Sequence, residues 1–582
     1  MVKNEKKLNL VLSRIEDAEK WRDSYYKDNW KRYLNLYRSQ SLEKREGANI
    51  FVPYIFMNCE VIRARISESL FSSRPYVTVL PRRLGDEEKA TAAQTLLDWQ
   101  FTDRMKIEGL FRKDILEILT TMGTAITYTG WAKKTRKVRS QKKEEQALLD
   151  QSGQPIIDDY GNPLSIPVSV VVEEDSIIYD DPECVSIDLF DFFVDPTATT
   201  IYNARYCGHR EYRTKAELRE LEKTAGYKIN WKDLEPANDI TDGRQTRMQE
   251  EGKNIPSDNY STKDKNGVYE VLQYWEDERH CVIINRQQLV LDEGNPFWHG
   301  MKPYDKVVYT PLANSFYGMG IPQLLESLQS ELNALRNQRI DYNSMSIRRM
   351  WKVREGCGLE PKDLVWRQNG ILQVANMDDV QEIMVSDISP TAFNNEAVAK
   401  QDMRDATGCH DIIMGLAESN ETATTTMTKD NNASLRFKDV VNNVVEDMLV
   451  PIAVKCIALD QQFMSDERAV RILDQNAANI IMVSPDDIAG EYDVIYVGSS
   501  VDPMANKEAK QQRMVNIYNM LAGDPLYQQD NEARRKLMES LLKAYDVDNI
   551  EGILPQIPQQ EAANGQKIQM GTMAQLAANG VL

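Results

Sequence analysis

Residues 316–345 read FYGMGIPQLLESLQSELNALRNQRIDYNSM, and the fate of this segment decides the architecture. Gly318 and Gly320 permit a sharp entry, and Pro322 suits the first helical turn. Apolar residues fall at Ile321, Leu325, Leu328, Leu332 and Leu335, the three-and-four spacing of one helix face, with Leu324 widening the stripe. Past Leu335 the stripe dissolves into RNQRIDYNSMSIRRM. A helix from Pro322 to Met350 would be about 43 Å long at 1.5 Å per residue, and half of it would lack an ordinary apolar face.

The totals describe a folded chain with room for more than one compact unit. There are 582 residues, 42% hydrophobic and 27% charged. The most apolar run, MLVPIAVKCIAL (448–459), is too short to cross a bilayer and holds Lys455, so it reads as a buried helix. The opening MVKNEKKLNLVLSRIEDAEKW lacks the apolar run of a signal peptide, and the protein is expected to stay where it is made. The seven cysteines stand singly without a CxxC pair, which argues against a disulfide framework or structural zinc and for a reducing cytoplasm. With 70 basic against 89 acidic residues the net charge is −19, so the molecule as a whole has no long-range attraction for nucleic acid phosphates.

Outward from the quoted stretch, the chain alternates in texture. Residues 5–39 predict a helix whose aromatic face, Trp21, Tyr25, Trp30, Tyr33 and Tyr37, docks on a neighbouring part of the protein. A helical pair over 87–122 ends at Gly123, and AITYTGWA then switches to strand alternation. Residues 131–310 are β-rich, with turn signals at Asn285 and Gly294-Asn295-Pro296 and a short helix, TKAELRELEKTA, capped by Thr214 with Glu217 at the capping-box position. Two polar stretches, 141–165 and 234–266, read as surface excursions. After the central helix come a small strand-bearing module (351–387), a second polar helix from about Pro390 to Gly408, and a threonine- and asparagine-rich loop (416–434). A long helix follows with Phe437, Val441, Val444, Met448, Ile452 and Ile457 inward and Pro451 placed to kink it. Strand-like NIIMVSP and YDVIYVGSS and amphipathic helices close the chain.

Catalytic chemistry is not visible in this pattern. His209, His280, His299 and His410 occupy no metal-ligand spacing and are expected to be surface or hydrogen-bonded histidines. There is no GxxxxGK[ST], and GMGIPQ lacks the third glycine of a dinucleotide fingerprint. Acidic clusters at Asp180 and Asp181, and at Asp188, Asp191 and Asp195, could suggest a two-metal nuclease. Linear proximity does not make carboxylates converge, however, and solvated turns are expected. No catalytic residue, metal or cofactor is expected.

The order of helix, small β-containing module, returning helix, threonine-rich loop and kinked helix resembles the portal proteins of tailed bacteriophages, the head-to-tail connectors. The resemblance is carried by PFWHGMKPYDKVVYTPLANSFYGMGIPQLLESLQSELNALRNQRIDYN, LFDFFVDPTATT and SLFSSRPYVTVLPRR, and extends over roughly residues 10–500. It implies an α+β fold: a mixed wing (1–320), stem helices (321–350 and 390–415), a clip (351–389), a tunnel loop (416–434), a kinked helix returning to the wing (435–500), and a helical crown and tail (501–582).

It further implies a ring, usually of twelve, at one capsid vertex in the virion, assembled in the host cytoplasm. That ring would be a channel through which double-stranded DNA is packaged and ejected, in contact with the major capsid protein, scaffolding protein, terminase large subunit and then tail adaptor proteins, and with no membrane. Twelve copies at −19 carry −228, a wall along which DNA slides. In such a ring a stem helix meets its own chain, two neighbours and water. Gln329, Asn333, Arg336, Asn337 and Arg339 are then expected to bond between subunits, with Glu396, Asp402 and Asp405 as partners. Arg348, Arg349, Lys352, Arg354, Lys362 and Arg367 would dock terminase or adaptor, and Glu418, Asn420, Thr422, Thr424, Thr425, Thr426, Thr428 and Lys429 would face DNA. The rival readings are another virion ring component such as a tail adaptor, a DNA-processing enzyme such as a nuclease, and an ordinary soluble enzyme. Solution mass and divalent-metal cleavage assays separate them.

Overall fold

The computed structural model describes residues 2–40, 45–72, 74–147, 165–234, 268–347, 350–356, 360, 362, 364, 371, 374, 376–383, 390–409, 437–465, 468–474 and 477–496, with short helical pieces between 514 and 542. Two compact units divide the chain, Met1–Asp466 with Pro485–Tyr496, and Glu467–Ser484 with Val497–Leu582. Helices and strands mix throughout the first unit, so the chain is α+β.

The N-terminal helix α1 (Val2–Arg22) runs through a π-turn, Asp23–Lys27, into α2 (Asp28–Tyr37). That turn takes in one residue more than an α-turn would and shifts the face beyond it. Tyr25, expected on the docking stripe, is therefore 67% exposed, and Tyr26 takes its place against Trp21 and Trp30. Helix α3 (Tyr54–Phe71) leads to strand β1 (Val77–Pro81). The expected helical pair forms as α4 (Glu87–Trp99), α5 (Ile107–Leu110) and α6 (Leu116–Met122), two of them extended by π-turns and broken at Lys106. Gly123 ends α6 at φ +81, a conformation that needs glycine.

Strands β2 (Thr124–Ala147) and β3 (Ser165–Ile187) form one long antiparallel hairpin, so residues 141–147, expected as a surface excursion, are strand. Residues 148–164 and 235–267 lie outside the described residues. Strands β4 (Phe192–Val194) and β5 (Cys207–Thr214) are followed by α7 (Lys215–Thr224), which has the capping box read from Thr214 and Glu217. Then β6 (Val268–Trp275), β7 (Arg279–Ile284) and β8 (Gln288–Gly294) complete a five-stranded antiparallel sheet in the order β4-β5-β6-β7-β8.

Successive strand residues face opposite sides, and both sides of this sheet are covered. Leu272, Tyr274, Cys281 and Ile283 pack against Val11, Ile15 and Ala18 of α1. On the other side Val271, Val282 and Ile284 pack against Leu218 of α7 with Tyr227 and Tyr269. Strand β9 (Tyr304–Val308) joins the base of β2 in a sheet ordered β3-β2-β9.

Helix α8 (Ile321–Ile347) follows, then β10 (Met350–Val353) paired with β11 (Val380–Ile383), and α9 (Pro390–Thr407). Residues 437–444 are helical and pass through a π-turn, Val445–Leu449, into α10 (Val450–Phe463). Pro451 cannot donate a helical hydrogen bond and its ring crowds the turn before it. The π-turn lies just upstream of it. Strands β12 (Arg468–Asp474) and β13 (Ala477–Val483) form a hairpin in the second unit, whereas β14 (Tyr492–Tyr496) pairs with β1.

Candidate functional site

The entry to α8 is a contact between two backbones. A Cβ at Gly320 would lie 2.5 Å from the Thr121 carbonyl, and one at Gly318 would lie 2.8 Å from the Gly123 carbonyl. Only glycine permits this approach, and the Gly318 N–H donates to Thr124 Oγ1 at 2.8 Å. Just upstream, buried Tyr317 receives the N-terminal aromatic stripe: Trp21, Tyr26 and Trp30 surround it at 5.7, 4.7 and 5.0 Å between ring centroids. The stripe thus docks on the first residues of the quoted segment, fixing where the helix starts.

Along α8 the polar residues at steps of four share one face, and that face holds a segment of the same chain without regular structure, residues 45–53. Gln329 donates to the Val52 carbonyl at 2.7 Å and accepts from the Ile55 N–H at 3.2 Å. Asn333 accepts from the Val52 N–H at 2.9 Å. Asn337 accepts from the Ile50 N–H at 2.7 Å and donates to its carbonyl at 3.1 Å. Asp341 accepts from the Ala48 N–H at 2.6 Å and pairs with Arg45 at 3.2 Å. The side chains of a helix here satisfy a backbone that has no sheet partner.

Helix α9 adds charge pairing. Buried Glu396 receives Arg339 at 2.7 Å, Arg336 at 3.4 Å and Lys400 at 3.0 Å. Arg404 donates to Tyr54 Oη at 2.7 Å, and Thr407 donates to Asn58 at 3.3 Å, holding α9 to α3. Gln329, Asn333, Asn337, Arg336, Arg339 and Glu396, which the sequence suggested for the contact between subunits, each have a partner within the chain. The 45–53 segment, the start of α3 and α9 supply these partners. Asp402 and Asp405 are exposed, Asp405 accepting from Gln401 at 3.0 Å.

Ile321, Leu325 and Leu332 of the apolar stripe are buried, as are Ala399 and Met403 of α9, but other apolar residues face outward. Leu324, read as part of the buried stripe, is 44% exposed, and on α9 Phe393 and Val398 are 51% and 58% exposed. Ile347, the last residue of α8, and Met350, the first of β10, are 80% and 67% exposed. In the β10–β11 module Lys352 is exposed, Arg354 reaches Asp379 at 3.5 Å, and Lys362 stands exposed 3.9 Å from Glu360. Arg348, Arg349 and Arg367 lie outside the described residues, as do Glu418, Asn420, Thr422, Thr424, Thr425, Thr426, Thr428 and Lys429.

The acidic clusters are structural, and they are not the solvated turns expected. Asp181 is buried with Arg104 at 3.0 Å, Asp191 meets Arg210 at 3.2 Å, and Asp195 takes Arg205 at 2.6 Å. Arg205 and the Thr197 amide and hydroxyl outweigh burial and hold the Asp195 carboxyl down at about 2. His209 bonds Tyr304 at 2.6 Å and His280 bonds Gln273 at 2.9 Å. Burial lowers the His280 ring to about 4. Among the described residues no group of side chains is arranged to hold a metal ion, and no described helix is long and apolar enough to cross a membrane. The fully buried Lys455 of α10 pairs with Asp305 of β9 at 2.7 Å and donates to the Tyr304 carbonyl at 2.9 Å.

Compared with known families, the chain is matched by the one described as Phage SU10 portal protein over residues 7–579. The chain belongs to this family. No curated protein matches it. As a phage portal protein it is a structural component that forms a ring at a unique capsid vertex. It provides the channel for DNA packaging and ejection and meets capsid, terminase and tail components. The nuclease and tail-adaptor readings give way to this one. Sequence reasoning found the polar character of the portal protein's central helix but missed the 45–53 segment held against it. The signal was a four-residue step of amide and acid side chains, Gln329, Asn333, Asn337 and Asp341.

Proposed function

We propose that this portal protein assembles as a twelve-membered ring in which α8 and α9 are the stem that lines the bore. Residues 1–320 form the wing, 351–389 the clip, 416–434 the tunnel loop, 435–500 the kinked helix and return, and 501–582 the crown and tail. The observation that carries the reading is the mixed packing of α8 and α9, which bury Gln329, Asn337 and Glu396 beside Leu325, Leu332 and Met403 while leaving Leu324, Phe393 and Val398 exposed. A lone helix pair gains nothing from that arrangement. Neighbouring copies that cover the outward apolar residues give it a reason. Asp402 and Asp405 stand on the same helix as ring-facing partners.

At −228 for twelve copies, the bore repels DNA over about one Debye length, 8 Å at physiological ionic strength, so the duplex passes without sequence recognition. The terminase large subunit docks during packaging, and adaptor proteins afterwards, on the exposed Lys352, Arg354 and Lys362 with Arg348, Arg349 and Arg367. The threonine-rich loop, Thr422 to Lys429 with Glu418 and Asn420, touches DNA in the bore. Wing and crown face the major capsid protein and the scaffolding protein during assembly in the host cytoplasm. Negative-stain images of the purified chain test the ring directly, and a chain that stays monomeric at high concentration overturns it. Deleting 420–428 is expected to leave rings intact and impair packaging or genome retention. Unchanged packaging would remove the loop from this account.

A further inference from the structure

The β2–β3 hairpin leaves the body of the protein as a bare two-stranded ribbon. Strand β9 pairs only with Thr124–Tyr128 of β2. From Gly130 outward the free edge of β2, and the free edge of β3, have no strand partner among the described residues. Twenty-four residues of β2 rise about 80 Å at 3.3 Å each. A two-stranded ribbon of that length is marginal alone in water, and residues 133–139 are all exposed.

The two edges carry opposite charge. Residues 133–143, KKTRKVRSQKK, hold seven basic and no acidic residues. Residues 173–183, EEDSIIYDDPE, hold six acidic and no basic ones, of which Asp181, at the base of the hairpin, is buried against Arg104. Inside one hairpin the two runs face each other, Lys133 opposite Asp180 and Lys137 opposite Asp175. Charged edges ordinarily block edge-to-edge pairing. With unlike signs on the two edges they block β2 against β2 and β3 against β3, and favour β2 against β3.

We infer that the acidic edge of β3 in one subunit adds to the basic edge of β2 in the next, joining neighbouring copies of this chain by β-augmentation beyond Tyr128. The inference rests on the ring proposed above. Rotation about a ring axis repeats the same up-and-down hairpin, so β3 of one copy meets β2 of the next antiparallel, in a head-to-tail contact that closes on itself. Each basic strand then lies between two acidic ones, and cross-strand pairs of opposite sign stabilise both contacts.

Two measurements on the full chain test this. Hydrogen–deuterium exchange compares the chain kept monomeric by dilution with assembled rings. Backbone amides within 130–139 are expected to slow at least tenfold on assembly. Rings that form while these amides keep their monomer rate overturn the ribbon contact and leave the ring standing, whereas absence of rings overturns both. The second test mixes a Lys133→Glu/Lys134→Glu/Lys137→Glu chain with a Glu173→Lys/Glu174→Lys/Asp175→Lys chain. Each alone opposes like charges within and between subunits, and is expected to assemble at least tenfold less well. Mixed, they restore unlike edges only between alternating copies. Recovery of rings supports the inference, and failure to recover, or unimpaired assembly of either chain alone, overturns it.

Discussion

The five-stranded sheet and the α8–α9 pair solve the same problem in opposite ways. The sheet closes on its own chain: α1 covers Leu272 and Tyr274 on one face, and α7 covers Val271 and Val282 on the other. Helices α8 and α9 turn Gln329, Asn337 and Glu396 inward beside Leu325, Leu332 and Met403, and leave Leu324, Phe393 and Val398 in water. The sheet is finished within one copy. The helix pair is internally satisfied in its polar bonds yet unfinished in its apolar surface, as expected of an element completed by neighbours. Stability of a single chain and stability of the ring therefore rest on different residues.

The largest effect on the single chain is expected at the join between α10 and β9. Lys455→Met leaves the Asp305 carboxylate buried without its cation at 2.7 Å, which costs about 3–5 kcal/mol. The double change Lys455→Met/Asp305→Leu removes both charges and is expected to recover most of it, measured by urea unfolding of the monomer. Next is a pH effect within the sheet. Because the folded His280 ring titrates at about 4 against an ordinary 6.5, the unfolded chain binds a proton between those values that the folded chain does not. Stability therefore rises with pH through this window and falls on acidification from 6.5 to 4, by on the order of 2–3 kcal/mol for this ring. His280→Gln, keeping a partner for Gln273, should flatten that part of the profile. An unchanged slope would place the acid sensitivity elsewhere.

A smaller loss is expected at the helix pair. Asn337→Leu keeps the helix but strands the Ile50 N–H and carbonyl, both bonded to the Asn337 amide, for about 1–3 kcal/mol. Exchange of the Ile50 amide should quicken in the monomer. If it does not, the 45–53 segment is held by something other than the side chains of α8.

What the sequence disclosed follows from what periodicity records. The three-and-four spacing located α8, and the capping box at Thr214 and Glu217 appears as read. Local patterns of this kind need only neighbours along the chain. The 45–53 segment escaped because it has no pattern of its own; its bonds come from a helix nearly three hundred residues away. Pairing of β1 with β14 across some four hundred residues escaped for the same reason. The π-turn at Asp23–Lys27 moved Tyr25 off the stripe and Tyr26 onto it. A period of 3.6 does not foresee an inserted residue. Leu324 fits the stripe by spacing and is 44% exposed; in the proposed ring its neighbour belongs to another copy, which one sequence cannot display.

The smallest expected effect on the single chain is also the sharpest test of the comparison. Leu324 and Val398 are 44% and 58% exposed, so Leu324→Asp and Val398→Asp bury no charge in the monomer and should shift its stability by no more than about 0.5 kcal/mol each. In a ring each would press a carboxylate into an apolar contact between copies, where an unpaired charge costs several kcal/mol. That penalty recurs at every interface around the circle. Far-UV circular dichroism and melting temperature should be unchanged while rings vanish from negative-stain fields. Rings that persist with both substitutions would mean that α8 and α9 face water in the assembly as they do in the single chain, and the asymmetry between the two regions would then need a different explanation.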